Sequence, residues 1–419
     1  MELIVIEGGR RLEGNIHVSG AKNAALPAFA ATLLCPGEFT FFNVPQLRDI
    51  NTISSLMREL GAKIEHQDGD RVTIDSENLN GSVAPYELVR TMRASCLVLG
   101  PLLARLGNAR ISLPGGCAIG ERPINLHLKG FEALGAKISL EHGYVNADAP
   151  DGLHGAKIVF DLVTVTGTEN LMMAATAAKG ETILENAARE PEVVFLGELL
   201  KKMGADIEGI GTDRIVIRGG ADLHPVEMGI IPDRIEAGTF MSAAAITGGH
   251  LKVTGCVPDH LDAVTQKFRE AGCKISTGEN WIDILGPDRP NPVDIETSPY
   301  PAFPTDMQAQ LMAVMTIASG ASVITETVFE NRYMHVAELR RTGANITVKD
   351  KTAFVKGVDI LSGANLMATD LRASASLILA GLAAQGLTEI RRIYHLDRGY
   401  QRIEEKLKKV GAVIRREKE

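Results

Sequence analysis

The sequence has few aromatic residues: they make up 5% of its 419 positions, with one Trp and six Tyr. That leaves little surface for stacking bases, and a formal net charge of −8 gives no sequence-wide attraction for nucleic acid or an anionic membrane. No apolar run approaches the roughly 18 residues that span a bilayer. The opening stretch, MELIVIEGGRR, carries an acid at position 2 and an apolar run too short for a secretory leader. Cysteine is scarce as well. Cys35, Cys96, Cys117, Cys256 and Cys273 are odd in number and show no CxxC spacing, so neither a disulfide framework nor a metal site is expected. These absences imply a reduced, cytoplasmic protein with no membrane or nucleic-acid partner, which gathers any anionic ligand through a local cluster of cations. At 45% hydrophobic and 23% charged the chain is globular, and its length suits two domains.

What the sequence does have is a repeat. A Gly-Ala-x-Ile phrase and its variants recur as LGAKIE, LGAKIS, MGADIE, AGCKIS, TGANIT and VGAVIR, with glycines at Gly61, Gly135, Gly204, Gly272, Gly343 and Gly411. A second phrase runs in step: an apolar helical stretch, a glycine stop and a β-branched run, as in NLMMAATAAKGETILENA and QLMAVMTIASGASVITETV. Glycine just past a helical pattern is the expected C-cap, and β-branched residues after it favour a strand. Each of the six units therefore predicts helix, strand, helix, strand, strand, ending in a hairpin such as GAKIEHQDGDRVTIDS, where Asp-Gly marks the turn. The sixth copy stops short of its last strand. Glu2-Leu-Ile-Val-Ile-Glu7 has the right character to supply it, so residues 2 to 7 are predicted to pair with the C-terminal strand. The fold class is α/β with three units per domain, one domain being 22–230 and the other, discontinuous, 1–21 plus 231–419.

The charged residues fall at two stations of the repeat. At the first turn of the apolar helices stand Lys22 with Asn23, Arg93, Asp233, Asp306, and Asp370 with Arg372. Acids there complement the helix dipole; the cations Lys22, Arg93 and Arg372 oppose it, which points to a shared anion. The turn from the first strand to the second helix carries Arg48, Arg122, Arg189, Arg332 and Arg398, with Asp259-His260 in the fourth copy. Arginine binds carboxylate and phosphate bidentately, so these turns suit an anion site. Arg48 and Arg189 have acidic neighbours, Asp49 and Glu190, and are assigned to the surface.

One such turn is longer than the rest. PGGCAIGERP, residues 114–123, surrounds Cys117 with Gly115, Gly116 and Gly120 and places Arg122 beside it. Mobile backbone, a nearby cation and a thiol suit a reactive lid. The other four cysteines lie in apolar helices or beside repeat glycines and are expected to be small buried hydrophobes.

SGAKNAALP, RTMRAS, LPGGCAIGERP, ENAAREPE, PAFPTDMQAQ, TETVFENRYMH, MATDLRASASL and IYHLDRGY, in this order along the whole chain, resemble the UDP-N-acetylglucosamine 1-carboxyvinyltransferase family of the EPSP synthase-like superfamily. The resemblance implies a two-domain inside-out α/β barrel closing over a cleft. It implies transfer of the enolpyruvyl group of phosphoenolpyruvate to the 3′-hydroxyl of UDP-N-acetylglucosamine, the first committed step of peptidoglycan synthesis in a bacterial cytoplasm, with no cofactor and no metal. By the same resemblance Lys22, Arg122 and Arg398 hold phosphoenolpyruvate, while Arg93, Arg332 and Arg372 complete the positive cleft. Asn23 contacts the amino sugar; Pro123, Ile124, Asn125, Leu126, Thr164, Val165, Val328 and Phe329 contact the nucleotide sugar. Asp306 takes the proton of the attacking hydroxyl, a place equally suited to a helix cap. Cys117 and Asp370 lie near the proton steps at the methylene carbon, the thiol serving either as acid or in product release, and fosfomycin is expected to alkylate it. Asn125 replaces the family's usual aspartate, and Thr164-Val-Thr166-Gly-Thr168 is a variant segment, so the nucleotide contacts stay open in detail. Rival readings are an EPSP synthase acting on shikimate 3-phosphate, a non-catalytic sugar-nucleotide sensor and an RNA-processing relative. The cysteine loop argues against the first, retention of Lys22, Asp306 and Arg398 against the second, and acidity against the third.

Overall fold

The structure, a computed structural model, describes residues 2–67, 69–113 and 124–418. These residues form two compact units, one of 20–113 and 124–231, the other of 2–19 and 232–418. Among the described residues there are six four-stranded sheets, one per repeat and three in each unit. Burial alternates along strands such as Glu181–Glu185, where Thr182 and Leu184 are buried and their neighbours are not, so one face packs inward and the other meets solvent.

The interior of each unit is helical. In the second unit Arg234–Thr247, Gln308–Met315 and Leu371–Ala383 pack on one another, and every residue from Ile235 to Ile246 and from Arg372 to Leu382 is buried. In the first unit residues 24–31 of helix Lys22–Ala31, 99–103 of Leu99–Leu106 and 167–175 of Val165–Ala175 are buried in the same way. A helix enclosed on all sides must be apolar all round, and runs such as Ala243-Ala244-Ala245 also keep it thin. Helices inside and sheets outside give the expected inside-out arrangement.

The six repeat glycines share one conformation. Gly61, Gly135, Gly204, Gly272, Gly343 and Gly411 have φ between +91° and +114°, directly after the second helix of each repeat. Any other L-residue there costs roughly 1 kcal/mol or more, which explains why the phrase recurs.

The predicted closing strand is present. Glu2–Glu7 is antiparallel to both Leu387–Arg391 and Val413–Lys418, Ile4 facing Ile390 on one side and Arg416 on the other. The expected order of elements is incomplete in one respect. Each sheet gains a fourth strand, parallel to the first strand of its repeat; four of the six are Val83–Ala84, Lys157–Val159, Ile295–Glu296 and Asn365–Met367. Segments this short carry no alternation from which to predict them. The other two are exchanged: Glu13–His17 joins His250–Thr254 of the fourth repeat, and Glu227–Gly229 joins Glu38–Phe42 of the first.

Candidate active site

In the first unit, Lys22 is the first residue of helix Lys22–Ala31 and its side chain is buried. Its Nζ donates to Asp49 Oδ2 at 3.0 Å, and Asp49, on helix Arg48–Glu59, is itself buried. The anion that the sequence demands for Lys22 is therefore supplied here by the protein. Asn23 beside it is exposed, as are Arg48 and Arg189. Arg93 begins the 3-10 turn Arg93–Val98 and is half-buried.

The residues expected at the nucleotide fall at two helix starts in this unit. Ile124 is buried just before helix Asn125–Ala133, with Asn125 exposed and Leu126 half-buried; Thr164 caps helix Val165–Ala175 by accepting from the Gly167 N–H at 3.2 Å. His127 ties the two starts together, a residue that sequence reasoning passed over. Asn170 donates through Nδ2 to His127 Nδ1 at 3.1 Å and to the Cys96 carbonyl at 2.9 Å, while its Oδ1 accepts from the Gly100 N–H at 2.8 Å. An amide nitrogen cannot accept, so Nδ1 is the bare nitrogen of a neutral imidazole and Nε2 carries the proton, facing Thr166 Oγ1 at 3.2 Å. Burial, assisted by the charge of Arg93, pushes His127 down to about 3.

In the second unit the structure brings three expected residues into direct contact. Asp306 lies in the 3-10 turn Thr305–Met307, accepting at Oδ1 from Arg332 Nη2 at 2.6 Å and at Oδ2 from Arg372 Nε at 3.1 Å. Both arginines are buried, at 4% and 3% exposure, whereas the carboxylate keeps 28%, so the acid is the accessible member of the cluster. The cap reading belongs to the aspartates that flank it in the repeat. Asp370 Oδ1 accepts from the N–H groups of Arg372 and Ala373 at 2.9 and 3.0 Å, and Asp233 caps helix Arg234–Thr247 in the same way. Arg372 Nη1 is buried with no acceptor among the described residues, and Tyr400 lies 5.4 Å below the guanidinium. Val328 is exposed and Phe329 half-buried on the turn before Arg332, whose guanidinium stands 5.1 Å from the Phe329 ring. Arg398 ends the 3-10 turn Ile393–Arg398 and is half-buried; its neighbour Asp397 is gripped by Arg416 at 2.7 and 3.1 Å.

Two further buried groups in this unit were not foreseen. His335 starts helix His335–Arg341, and burial pushes it down to about 4, Asp370 opposing and Arg332 assisting the shift. Glu326 follows strand Ala321–Thr325 and is 1% exposed. The signal that would have found it is an acid at the end of a strand where sister repeats place an apolar residue.

Cys117, Arg122 and Pro123 lie outside the described residues. The remaining cysteines are buried, as expected; burial raises Cys35 and Cys256 to about 11 and Cys96 and Cys273 to about 12, so all four stay thiols at neutral pH. Among the described residues no three His, Cys, Asp or Glu side chains are grouped to hold a metal ion, and no helix is long and apolar enough to cross a membrane.

Helices enclosed by six sheets, with paired arginines on a carboxylate at the start of one helix, define a class. The chain belongs to the EPSP synthase (3-phosphoshikimate 1-carboxyvinyltransferase) family, whose sequence model matches residues 6–407. Within it, the chain is 61% identical over 419 residues to the UDP-N-acetylglucosamine 1-carboxyvinyltransferase of Geobacter metallireducens, covering 100% of both chains. It is 60% identical over 416 residues to the protein of the same description from Trichlorobacter lovleyi, covering 99% of each. Among solved structures, the enolpyruvyl transferase NikO from Streptomyces tendae superposes with a TM-score of 0.89 at 28% identity, over 99% of this chain and 98% of that one. EPSP synthase from Acinetobacter baumannii shares the fold, with a TM-score of 0.78 at 18% identity and 100% coverage of both.

Proposed function

We propose that the chain transfers the enolpyruvyl group of phosphoenolpyruvate to the 3′-hydroxyl of UDP-N-acetylglucosamine and releases phosphate, in a bacterial cytoplasm, at the first committed step of peptidoglycan synthesis. The observation that carries this reading is the 61% identity, over the full length, to a relative described by that transfer. The reaction is an addition followed by an elimination. A proton joins the methylene carbon of phosphoenolpyruvate while the hydroxyl oxygen bonds to its central carbon. The resulting tetrahedral intermediate then loses phosphate from that carbon and a proton from the new methyl group.

The site residues follow this chemistry. Lys22, Arg122 and Arg398 neutralise the phosphate and carboxylate of the donor, and Arg93, Arg332 and Arg372 stabilise charge around them. Asp306 accepts the hydroxyl proton, and two arginines on its two oxygens favour the ionised, accepting form. Asp370 and Cys117 serve the proton steps at the methylene carbon. Asn23 meets the amino sugar, and Pro123, Ile124, Asn125, Leu126, Thr164, Val165, Val328 and Phe329 meet the rest of the nucleotide sugar.

The test is to incubate the protein with phosphoenolpyruvate and UDP-N-acetylglucosamine, or with shikimate 3-phosphate instead, and follow phosphate. Release is expected only with the sugar nucleotide. Release only with shikimate 3-phosphate, or none at all, overturns the reading. Fosfomycin should label Cys117 ahead of Cys35, Cys96, Cys256 and Cys273, and faster with the sugar nucleotide present; labelling spread evenly over the five argues against a reactive lid.

A further inference from the structure

The six repeats act as internal controls for one another at the end of the first strand. Four of them insert a residue of positive φ there, Asn43 at +56°, Asn186 at +57°, Gly255 at +66° and Arg392 at +59°. Each is followed by a buried apolar residue: Val44, Ala187, Cys256 and Ile393. In three cases the N–H of that apolar residue closes on the hairpin turn, Val44 to Asp70, Ala187 to Asp213 and Cys256 to Asn280. In these three the extra residue is a β-bulge, since the register shifts by one across it. The fifth repeat has no bulge. Thr325 pairs with Thr352, and the next N–H, that of Glu326, closes directly on the Lys351 carbonyl at 2.8 Å. The second repeat has none either, its exposed Leu113 closing directly on the Gly143 carbonyl, so Glu326 stands where four sister repeats bury Val44, Ala187, Cys256 and Ile393.

A carboxylate in such a place is costly unless it is fully bonded. Glu326 is. Its Oε1 accepts from Thr297 Oγ1 at 2.9 Å and from the N–H groups of Val328 and Phe329 at 2.9 and 3.1 Å. Its Oε2 accepts from Thr305 Oγ1 at 2.7 Å. The Thr305 oxygen in turn accepts from Arg332 Nη1 at 2.9 Å, so its single proton is committed to Glu326. Arg332 passes its other nitrogen, Nη2, to Asp306 Oδ1. A continuous run of hydrogen bonds therefore leads from the Val328–Phe329 turn through Glu326, Thr305 and Arg332 to Asp306.

We propose that Glu326 and Thr305 are positioning residues that hold the Asp306 carboxylate and the Val328–Phe329 turn in one geometry, so that seating the sugar nucleotide and aiming the base depend on the same buried carboxylate. The proposal rests on the reading of Asp306 as the base. Glu326 touches neither substrate; it acts through the Thr305 hydroxyl on one side and two backbone amides on the other. Thr305 touches only the base side, and this separates the two effects.

The experiment is steady-state phosphate release by full-length Thr305→Val, Thr305→Ser, Glu326→Gln and Asp306→Asn, scaled to folded protein. Misplacing a catalytic group by about 1 Å costs on the order of 100-fold, so Thr305→Val should lower kcat about 10- to 100-fold while KM for UDP-N-acetylglucosamine stays within about threefold. Thr305→Ser, which restores the hydroxyl, should recover kcat to within about threefold of the parent. Glu326→Gln should lower kcat and raise that KM together, each about tenfold, because it loosens both ends. If Glu326→Gln does not fold, the valine and serine pair decides alone. Thr305→Val within about twofold of the parent, beside an Asp306→Asn that has lost about 100-fold or more, overturns the positioning role and leaves the base intact. An active Asp306→Asn overturns both.

Discussion

Lys22 and Asp306 stand at the same station of two repeats, the start of a buried helix, and their charges are closed in opposite ways. Lys22 is one buried cation on one buried carboxylate, Asp49, at 3.0 Å. Asp306 is one partly exposed carboxylate held by two buried guanidiniums, and one nitrogen of the second, Arg372 Nη1, is buried with no acceptor among the described residues. A buried donor left unsatisfied costs about 1–3 kcal/mol, a cost characteristic of a site shaped for a further polar group rather than for stability. The station is thus a general platform for charge: at Lys22 the cation is held by a buried carboxylate, and at Asp306 the acid is left accessible.

The comparison breaks most sharply at the acid. Asp306→Asn keeps the shape of the side chain and should slow phosphate release by roughly 100- to 10,000-fold, with the unfolding midpoint little changed by calorimetry. Activity that falls only in step with unfolding would return Asp306 to a structural role. At the other station the first loss is in stability. Lys22→Met removes the cation bonded to the buried Asp49 carboxylate, which should cost about 3 kcal/mol in denaturant unfolding. Adding Asp49→Leu should recover much of that stability and none of the activity. An unchanged midpoint in the single variant would mean that Asp49 is not closed by Lys22.

A smaller effect comes from a buried acid in the Lys22 unit. Glu169 is held well above the usual carboxylate range, chiefly by burial and further by Glu192 and Glu190. The folded chain therefore keeps a proton that the unfolded chain releases above about pH 4.5. The stability that Glu169 contributes is present below that value and is lost as pH rises towards its folded pKa. Glu169→Gln mimics the protonated form, so it should raise the unfolding midpoint at pH 8 more than at pH 5. An equal change at both pH values would show that the carboxyl is ionised in the folded state. His127 has the opposite sign: held down to about 3, it withdraws stability as pH falls below about 6.5.

The sequence exposed whatever recurs. The glycines from Gly61 to Gly411 announced the second helix of each repeat, and the missing strand of the last copy announced the pairing of Glu2–Glu7. Five of the six parallel edge strands stayed hidden because two or three residues have no period. Their exchange at Glu13–His17 and Glu227–Gly229 depends on which sheet lies near, which local sequence does not encode. The site was legible one residue at a time. Asp306, Arg332 and Arg372 each stood out from its neighbours, but their meeting on one carboxylate is a tertiary fact. Asp49 looked like the partner of adjacent Arg48, and its bond to Lys22 spans two helices. Glu326 was hidden by its own motif of polar neighbours, and only lining the repeats up sets it against the apolar Val44, Ala187, Cys256 and Ile393.

The place of Glu2–Glu7 inside the last sheet also orders how the protein is made. Residues 20–113 and 124–231 find all their strand partners among themselves, so that unit can fold while the ribosome is still at work. Leu3-Ile-Val-Ile6 emerges more than 370 residues ahead of its partners Leu387–Arg391 and Val413–Lys418. Throughout synthesis an apolar strand waits with both edges unpaired, open to chaperones and to neighbouring chains alike.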